Sequence, residues 1–146
     1  NYEVRRASRY KRPLSLLFVT IDKLANVVEN FGLQGENAVI LGTGRGLLGS
    51  VRDVDIAGRC RDDCFGVILP ETPRGGAEIA AERIRTRLEN LSVDYKASQI
   101  LLTVTVGGAS LEEGIDKPDQ LIALTVEALQ LGIRSGGNTV NFPVDE

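Results

Sequence analysis

An apolar run near the start of the chain is the feature that most constrains its fold. Residues 13–22, PLSLLFVTID, are rich in Leu, Phe and Val, and the only charge comes at the end of the run. A continuous run of this length and composition predicts a β-strand that is buried on both faces. Such a strand belongs in the middle of a sheet that helices cover.

The remaining segments supply those helices and further strands. Apolar residues recur at helical spacing over 23–31, with Gly32 as a stop signal, and again over 37–51. Residues 54–60 and 64–70 predict two strands that face each other as a hairpin across RDD. The other predicted elements are an amphipathic helix over 73–91, a strand over 99–111, a helix over 119–134 and a short strand over 139–142.

The predicted order of elements is β-α-α-β-β-α-β-α-β. A hairpin in the middle and long helical crossovers favour an α+β fold, an α/β sandwich in which helices flank a central mixed or antiparallel sheet of five strands. The chain of 146 residues is long enough for one domain with a sizeable core. We assign residues 1–146 to a single domain and expect residues 1–12 to be the end of a linker helix from an upstream domain.

The composition narrows the function classes. A net charge of −3 gives no reason to expect nucleic acid as a partner. Cys60 and Cys64 are the two cysteines and the chain has no histidine, so neither a disulfide framework nor a four-ligand zinc site is favoured. We expect reduced thiols in a cytoplasmic protein. The apolar runs are too short to span a bilayer, and attachment of a longer protein to a membrane stays open.

A glycine-rich segment over 39–49, VILGTGRGLLG, imitates a dinucleotide-binding loop. The G-x-G-x-x-G form would need glycine where the chain has Leu47, and no second parallel strand follows at the expected distance. We therefore interpret the segment as a helix that carries Gly42, Gly44 and Gly46, each costing about 1 kcal/mol relative to alanine.

Several phrases of the sequence, in their order and spacing, resemble the GGDEF domain of bacterial diguanylate cyclases. They are RASRYKRPLSLLFVTID, ENFG, GRCRDDCFGVILPET, AERIR, LTVTVGGA and SGGNTV, and they extend along essentially the whole chain. The resemblance implies a fold like that of nucleotidyl cyclases and polymerase palms, with the signature hairpin at the active edge of the sheet.

The resemblance also implies where the family's metal ions would be held. Family members join two GTP molecules into cyclic di-GMP, and metal ions on carboxylates neutralise the phosphates. One of these carboxylates falls on Thr20, beside Ile21 with its backbone carbonyl, and the other falls on Asp63. Asp63 is then the only retained metal carboxylate, so we expect no metal site and no cofactor, with magnesium only if residual GTP binding occurs.

Other substrate contacts of the family are missing as well. The signature is RDDCF at 61–65, where the family has two glycines and then acids, and the guanine-binding aspartate falls on Asn37. The departures affect metal, base and phosphate contacts together, and they are Thr20, Val28, Arg61, Asp62, Cys64, Ile133 and Gly137. We therefore expect a catalytically inactive domain with no catalytic residue, in which Thr20, Asp63 and Cys64 are remnants of the family's site.

A second site of the family is better preserved. Active members often carry an inhibitory product-binding site whose R-x-x-D motif ends five residues before the signature. Arg52 and Asp55 keep that register, and Arg83 within AERIR corresponds to a third contributor. Arginine binds phosphate or guanine O6 and N7, and a carboxylate accepts from guanine N1 and N2. The resemblance therefore implies cyclic di-GMP binding at Arg52, Asp55 and Arg83.

Three hypotheses remain open at this point. The first is a cyclic di-GMP receptor in bacterial second-messenger signalling, with a homodimer or ligand-bridged dimer and an upstream sensory domain as partners. The second is a protein-interaction or dimerisation module without nucleotide binding. R-x-x-D is a common pattern, repeated at Arg59-x-x-Asp62, and an exposed Arg52–Asp55 pair would contribute under about 1 kcal/mol. The third is a weak nucleotide enzyme or GTP-binding domain that uses Asp63 alone.

Overall fold

The computed structural model of the protein describes residues 12–61, 63–111, 115 and 117–144, and the side chain of Arg61 lies outside this description. The three helices of this part of the chain are α1 (Leu24–Leu48), α2 (Arg74–Glu89) and α3 (Pro118–Arg134). Its strands are β1 (Leu14–Ile21), β2 (Ile56–Arg61), β3 (Cys64–Pro70), β4 (Ser92–Tyr95), β5 (Ser98–Leu101), β6 (Val104–Ser110) and β7 (Val140–Asn141). The predicted linker helix covers residues 1–12, and residues 1–11 of it lie outside the described residues.

The central sheet has five strands in the order β2-β3-β1-β6-β7. Neighbouring strands are antiparallel except for the parallel pair β6–β7, so the predicted mixed five-stranded sheet and α+β fold are confirmed. Strand β1 lies at the centre, where Leu17 is opposite Val67 of β3 and Gly108 of β6. The apolar run therefore forms the middle strand of the sheet.

Both faces of β1 are covered, as the lack of alternation in its sequence predicts. Leu17, Val19 and Ile21 point into the larger core, which also contains residues of α1 and α2. Leu14 and Leu16 point the other way and join a smaller cluster that includes Leu121 of α3. Each face excludes water, so neither set of alternate positions needs polar residues.

Helix α1 differs in two respects from the two helices predicted over 23–31 and 37–51: it joins them, and it ends at Leu48, three residues before the predicted end. It is continuous apart from Gly32, whose φ of 73° and ψ of −173° are not helical. Glycine adopts a positive φ without steric cost, so the stop signal at Gly32 is confirmed as a kink. The prediction of a longer interruption before 37 is wrong, because helical conformation resumes directly after Gly32.

The glycine-rich segment that imitates a nucleotide loop is helical, as predicted. A Cβ at Gly42 would lie 2.8 Å from Val93 Cγ2, and one at Gly46 would lie 2.7 Å from Leu88 Cδ2. The missing side chains therefore let α1 approach β4 and α2 closely, and the glycines form a packing face.

The single strand predicted over 99–111 is wrong. The segment divides into β5 and β6, and β5 pairs with β4 in a separate two-stranded sheet that sequence analysis missed. The turn between β4 and β5 uses Lys96 at a φ of 55°. Hairpin turns with positive φ are usually recognised by Gly, Asn or Asp, so a lysine there gives no signal.

The other predicted strands and helices are confirmed with boundaries within two residues. No helix in the described residues is long and apolar enough to cross a membrane.

The contact between β6 and α3 yields a prediction about packing. A Cβ at Gly107 would lie 2.4 Å from the backbone nitrogen of Leu129. We expect Gly107→Ala to lower the free energy of unfolding by about 3 kcal/mol, because two backbones would have to separate. Gly75→Ala is the control, since no atom lies within 4 Å of its Cβ position. It should be neutral or stabilise the fold by up to about 1 kcal/mol in the same urea titration. Equal losses in both variants would contradict this packing.

Candidate functional site

The RDVD segment forms a turn at the entrance to β2. The backbone N–H of Asp55 donates to Arg52 O (3.0 Å), and Asp55 Oδ2 accepts from the backbone N–H of Arg52 (2.8 Å). Asp55 Oδ1 accepts from Arg52 Nη2 (2.7 Å) and Nε (3.1 Å). The side chain of Asp55 is only 1% exposed, whereas that of Arg52 is 50% exposed. Both carboxylate oxygens are therefore engaged within the turn, and the exposed surface pair considered from the sequence is wrong for Asp55.

Further contacts hold Arg52 in one orientation. Its Nη2 also donates to Thr72 Oγ1 (2.8 Å) and Pro70 O (3.2 Å), at the end of β3 and just before α2. The hydrogen bond with Asp55, opposed by partial burial, raises the pKa of Arg52. No described residue accepts a hydrogen bond from Nη1. The guanidinium is thus fixed on one side and has donors left for a ligand on the other.

Arg83 lies against the same loop. It is exposed on α2, and its Nε donates to Ser50 O (3.1 Å), two residues before Arg52. The structure therefore brings both sequence-predicted arginines to the loop of residues 50–55. The burial of Asp55 means that the third predicted residue supports Arg52 and is not open to solvent.

Arg87 is a cation that sequence analysis missed. A Cβ at Gly49 would lie 3.0 Å from Arg87 Nη2, so this side chain also reaches the start of the loop. Arg83 and Arg87 line an open groove of about 550 Å³ with Ile79, Glu82 and Thr86. The signal was available in the sequence, because residues four apart share one face of a helix.

The residues at the edge where the family's metal ions would bind make a different set of contacts. Thr20 Oγ1 donates to the backbone carbonyl of Asp63 (3.1 Å), and the N–H of Ile21 donates to the same oxygen (3.0 Å). Thr20 is buried, and Cys64 lies opposite it in the β1–β3 register and is also buried. A carboxylate cannot donate the hydrogen bond that Thr20 makes, so this position has become part of the packing of the hairpin.

The described residues at this edge supply fewer carboxylates than the family's site. Magnesium is bound through oxygen ligands that include carboxylates, and of the two positions that the resemblance assigns to metal carboxylates only Asp63 has one among the described residues. Within the described residues, no three His, Cys, Asp or Glu side chains come together as metal ligands. The predicted signature side chains Arg61 and Asp62 lie outside the described residues.

An acidic residue to which sequence analysis gave no role, Asp22, lies directly after β1. Its carboxylate accepts from Thr103 Oγ1 (2.8 Å), Thr105 Oγ1 (2.6 Å) and the backbone N–H of Asn138 (2.8 Å). It therefore ties β1, the start of β6 and the loop before β7 together. An acid directly after a buried strand was the available signal.

Asp22 also fills the space beside Gly137, where the resemblance places a phosphate-binding arginine. Gly137 has a φ of 77°, and a Cβ there would lie 2.9 Å from Asp22 Cγ. Ile133, where the family has a lysine, is 48% exposed and apolar. Neither position presents a cation.

The positions where the resemblance places guanine-binding residues, Val28 and Asn37, both lie on α1. Val28 is partly buried and Asn37 is exposed.

Comparison with protein families settles what kind of domain this is. Residues 1–139 match the family model described as diguanylate cyclase, GGDEF domain. The chain belongs to the GGDEF family. It is 26% identical over 141 residues to diguanylate cyclase A of Treponema denticola. The aligned region covers 97% of this chain and 38% of that protein. The chain spans well under half the length of the curated relatives it matches.

Solved GGDEF structures have the same fold. The active GGEEF domain of a diguanylate cyclase from Vibrio cholerae superposes with a TM-score of 0.89 at 23% identity, covering 99% of this chain and 92% of that one. The GGDEF domain of DgcB from Caulobacter crescentus, solved in complex with c-di-GMP, gives a TM-score of 0.89 at 19% identity, covering 96% and 83%. At this level of identity the likeness establishes the fold.

The crowding at Gly137 can be tested by introducing the cationic residues that the resemblance places at Gly137 and Ile133. We expect Gly137→Arg to lower the free energy of unfolding by about 1–2 kcal/mol, because a non-glycine residue would be forced into a left-handed conformation against Asp22. Ile133→Lys adds the same charge on an exposed helical position and should change stability by less than about 0.5 kcal/mol. Chemical denaturation measures both. A Gly137→Arg variant as stable as Ile133→Lys would show that the loop accepts the arginine.

Proposed function

We propose that this GGDEF domain is a catalytically inactive receptor for cyclic di-GMP that binds its ligand at Arg52, Asp55 and Arg83. The observation that carries the proposal is that the guanidinium group of Arg52, within the loop of residues 50–55, is held by Asp55, and that of Arg83, from α2, is held by Ser50 of the same loop. A site that holds two guanidinium groups against one loop suits a ligand with two phosphates and two guanine bases.

The chemistry of the ligand matches the donors that remain. A phosphate or the O6/N7 edge of guanine accepts two parallel hydrogen bonds from one guanidinium group. Among the described residues Arg52 keeps Nη1 free for a single contact, since its Nε and Nη2 are held by Asp55 and Thr72; a fork of two nitrogens would require Nη2 to leave its present acceptors. Arg83 is anchored through Nε alone among the described residues, which leaves both of its terminal nitrogens to reach a ligand.

Asp55 has two roles in this proposal. In the ligand-free domain it orients Arg52, because its buried carboxylate accepts from three nitrogens of that residue. When a ligand takes over Arg52, one carboxylate oxygen is released to accept from guanine N1 and N2. Binding therefore requires a local exchange of partners within the turn.

Relatives support cyclic di-GMP as the ligand class. The GGDEF domain of DgcB, which has this fold, was solved in complex with c-di-GMP. A ligand that carries the same groups on opposite sides can bridge two domains, so the proposal includes a ligand-bridged dimer. The greater length of the relatives agrees with a sensory domain in a longer protein.

Loss of catalysis is proposed from the contacts at the hairpin. Thr20 supplies no charge and donates its proton to Asp63 O, which leaves one carboxylate where the chemistry needs two. Asp22 occupies the space that a phosphate-binding side chain at Gly137 would need. Each missing interaction removes part of the transition-state stabilisation, and every 1.36 kcal/mol lost slows the reaction about tenfold.

Binding is tested by calorimetric titration of cyclic di-GMP into the domain. We expect measurable affinity for the unchanged protein and a Kd about 10- to 100-fold weaker for Arg52→Ala and for Arg83→Ala, since each removes charge-assisted hydrogen bonds to the ligand. Arg134→Ala is the matched control: it removes the same charge from an exposed position on α3 and should leave the Kd unchanged.

Two outcomes would reject the assignment. Heat of binding that survives in both Arg52→Ala and Arg83→Ala would place the ligand elsewhere. A folded domain that gives no heat with millimolar ligand would favour the second function, a protein-interaction or dimerisation module.

That second function also has an observation in its favour. Among the described residues Asp55 accepts hydrogen bonds only within the turn, and Arg52 connects the turn to Pro70 and Thr72. These contacts stabilise the start of β2 without a ligand, so they would preserve the RDVD segment in a purely structural role.

Enzymatic inactivity is tested with GTP and magnesium, using chromatography to detect cyclic di-GMP. We expect product formation at least about 1,000-fold slower than by an active GGDEF domain assayed in parallel. Thr20→Asp restores one carboxylate and should still give no product, because Val28, Ile133 and Gly137 continue to lack the base and phosphate contacts. Turnover comparable to the active domain would overturn the proposal of an inactive domain and leave the binding site to be judged separately.

A further inference from the structure

The two cysteines of the chain meet at the signature hairpin. In the β2–β3 register, Arg59 is opposite Phe65 and Arg61 is opposite Cys64, so Cys60 is the extra residue of a bulge. The bulge brings Cys60 Sγ to 3.4 Å from Cys64 Sγ. Two thiols that close, on adjacent strands, are positioned to react with each other.

The two thiols differ in access. Cys60 is exposed, whereas Cys64 is 2% exposed and faces β1 opposite Thr20. Gly66 keeps the space beside Cys60 open, because a Cβ at that position would lie 3.6 Å from Cys60 Sγ and 3.4 Å from the ring of Phe18. A small reagent can therefore reach Cys60 from solvent, and Cys64 is reached most readily through Cys60.

We propose that Cys60 and Cys64 form a reversible oxidation site whose substrate is a low-molecular-weight disulfide such as glutathione disulfide. The thiolate of Cys60 attacks one sulfur of the reagent, which forms a mixed disulfide on Cys60 and releases one thiolate. The thiolate of Cys64 then attacks the Cys60 sulfur, closes the Cys60–Cys64 disulfide and releases the second thiolate. The two thiol protons end on the two released thiols, and the reagent gains the two electrons that the protein loses.

The geometry favours formation of a Cys60–Cys64 disulfide over binding of a metal ion by the two thiols. A disulfide needs its sulfurs about 2.05 Å apart, so the two atoms have to approach by about 1.4 Å. Gly66 has no side chain, which leaves room beside Cys60 Sγ for its side chain to move. Metal binding is disfavoured, since zinc takes four ligands and the described residues offer no third His, Cys, Asp or Glu side chain at this place.

The site is independent of ligand binding at Arg52. Oxidation would join the end of β2 to the start of β3 and fix the hairpin, whether or not the domain binds a nucleotide. The reaction is reversible, so the hairpin would have a reduced and an oxidised form set by the thiol–disulfide balance of its surroundings.

The proposal is tested by incubating the folded, reduced domain with glutathione disulfide and measuring its intact mass. We expect a monomer lighter by about 2 Da, the mass of the two hydrogens lost, and full recovery with dithiothreitol. Trypsin cleaves after Arg59, Arg61 and Arg74. In the oxidised protein the Cys60–Arg61 dipeptide should therefore stay attached to the peptide of residues 62–74 until reduction.

Single-cysteine variants provide the controls. Cys64→Ser leaves the exposed thiol without its partner, so it should accumulate one stable glutathione adduct. Cys60→Ser leaves only the buried thiol, which should react at least about tenfold more slowly until denaturant exposes it. A persistent adduct on the unchanged protein, a disulfide-linked dimer in place of the lighter monomer, or equal reaction rates of the two variants would overturn the proposal.

Discussion

The fold depends on a strand that is hydrogen-bonded along both edges and covered on both faces. Strand β1 pairs with β3 and β6, and its side chains divide between the core beneath α1 and α2 and the cluster beneath α3. Its backbone therefore has no freedom to shift register, since one step would exchange the two sets of side chains. Thr20 near the end of this strand and Asp22 directly after it are therefore held in fixed positions.

Those two residues make hydrogen bonds within the fold at the edge where the resemblance places the family's active site. Thr20 donates to the hairpin carbonyl of Asp63, and Asp22 collects donors from β6 and from the loop before β7. Each forms hydrogen bonds that fix neighbouring backbone, at an edge where the family places substrate and metal. In our proposal the edge has become structural, and nucleotide recognition is confined to the loop of residues 50–55 on another part of the surface.

The sequence predicted the features that depend on local pattern. Continuous apolarity identified β1, the glycine at position 32 marked the kink in α1, and the resemblance to the GGDEF family identified Arg52 in the loop that Arg83 contacts. It could not predict features that depend on distant partners. The β4–β5 hairpin turns on a lysine with an unusual φ, and the three donors to Asp22 come from residues more than 80 positions away. The burial of Asp55 likewise depends on packing that no single segment contains.

The ion pair between Arg52 and Asp55 in the RDVD turn bears on how the proposed ligand binding would depend on salt concentration. An arginine that faces water is accompanied by mobile anions, and a bound phosphate sets them free, which makes binding strongly dependent on ionic strength. Arg52 instead carries its own counterion, the carboxylate of Asp55, at 2.7 Å. A phosphate that replaces this carboxylate displaces a tethered group, and few solution ions are released. In the proposed site we therefore expect the contact of the ligand with Arg52 to depend less on added electrolyte than a contact with an arginine that has no such partner.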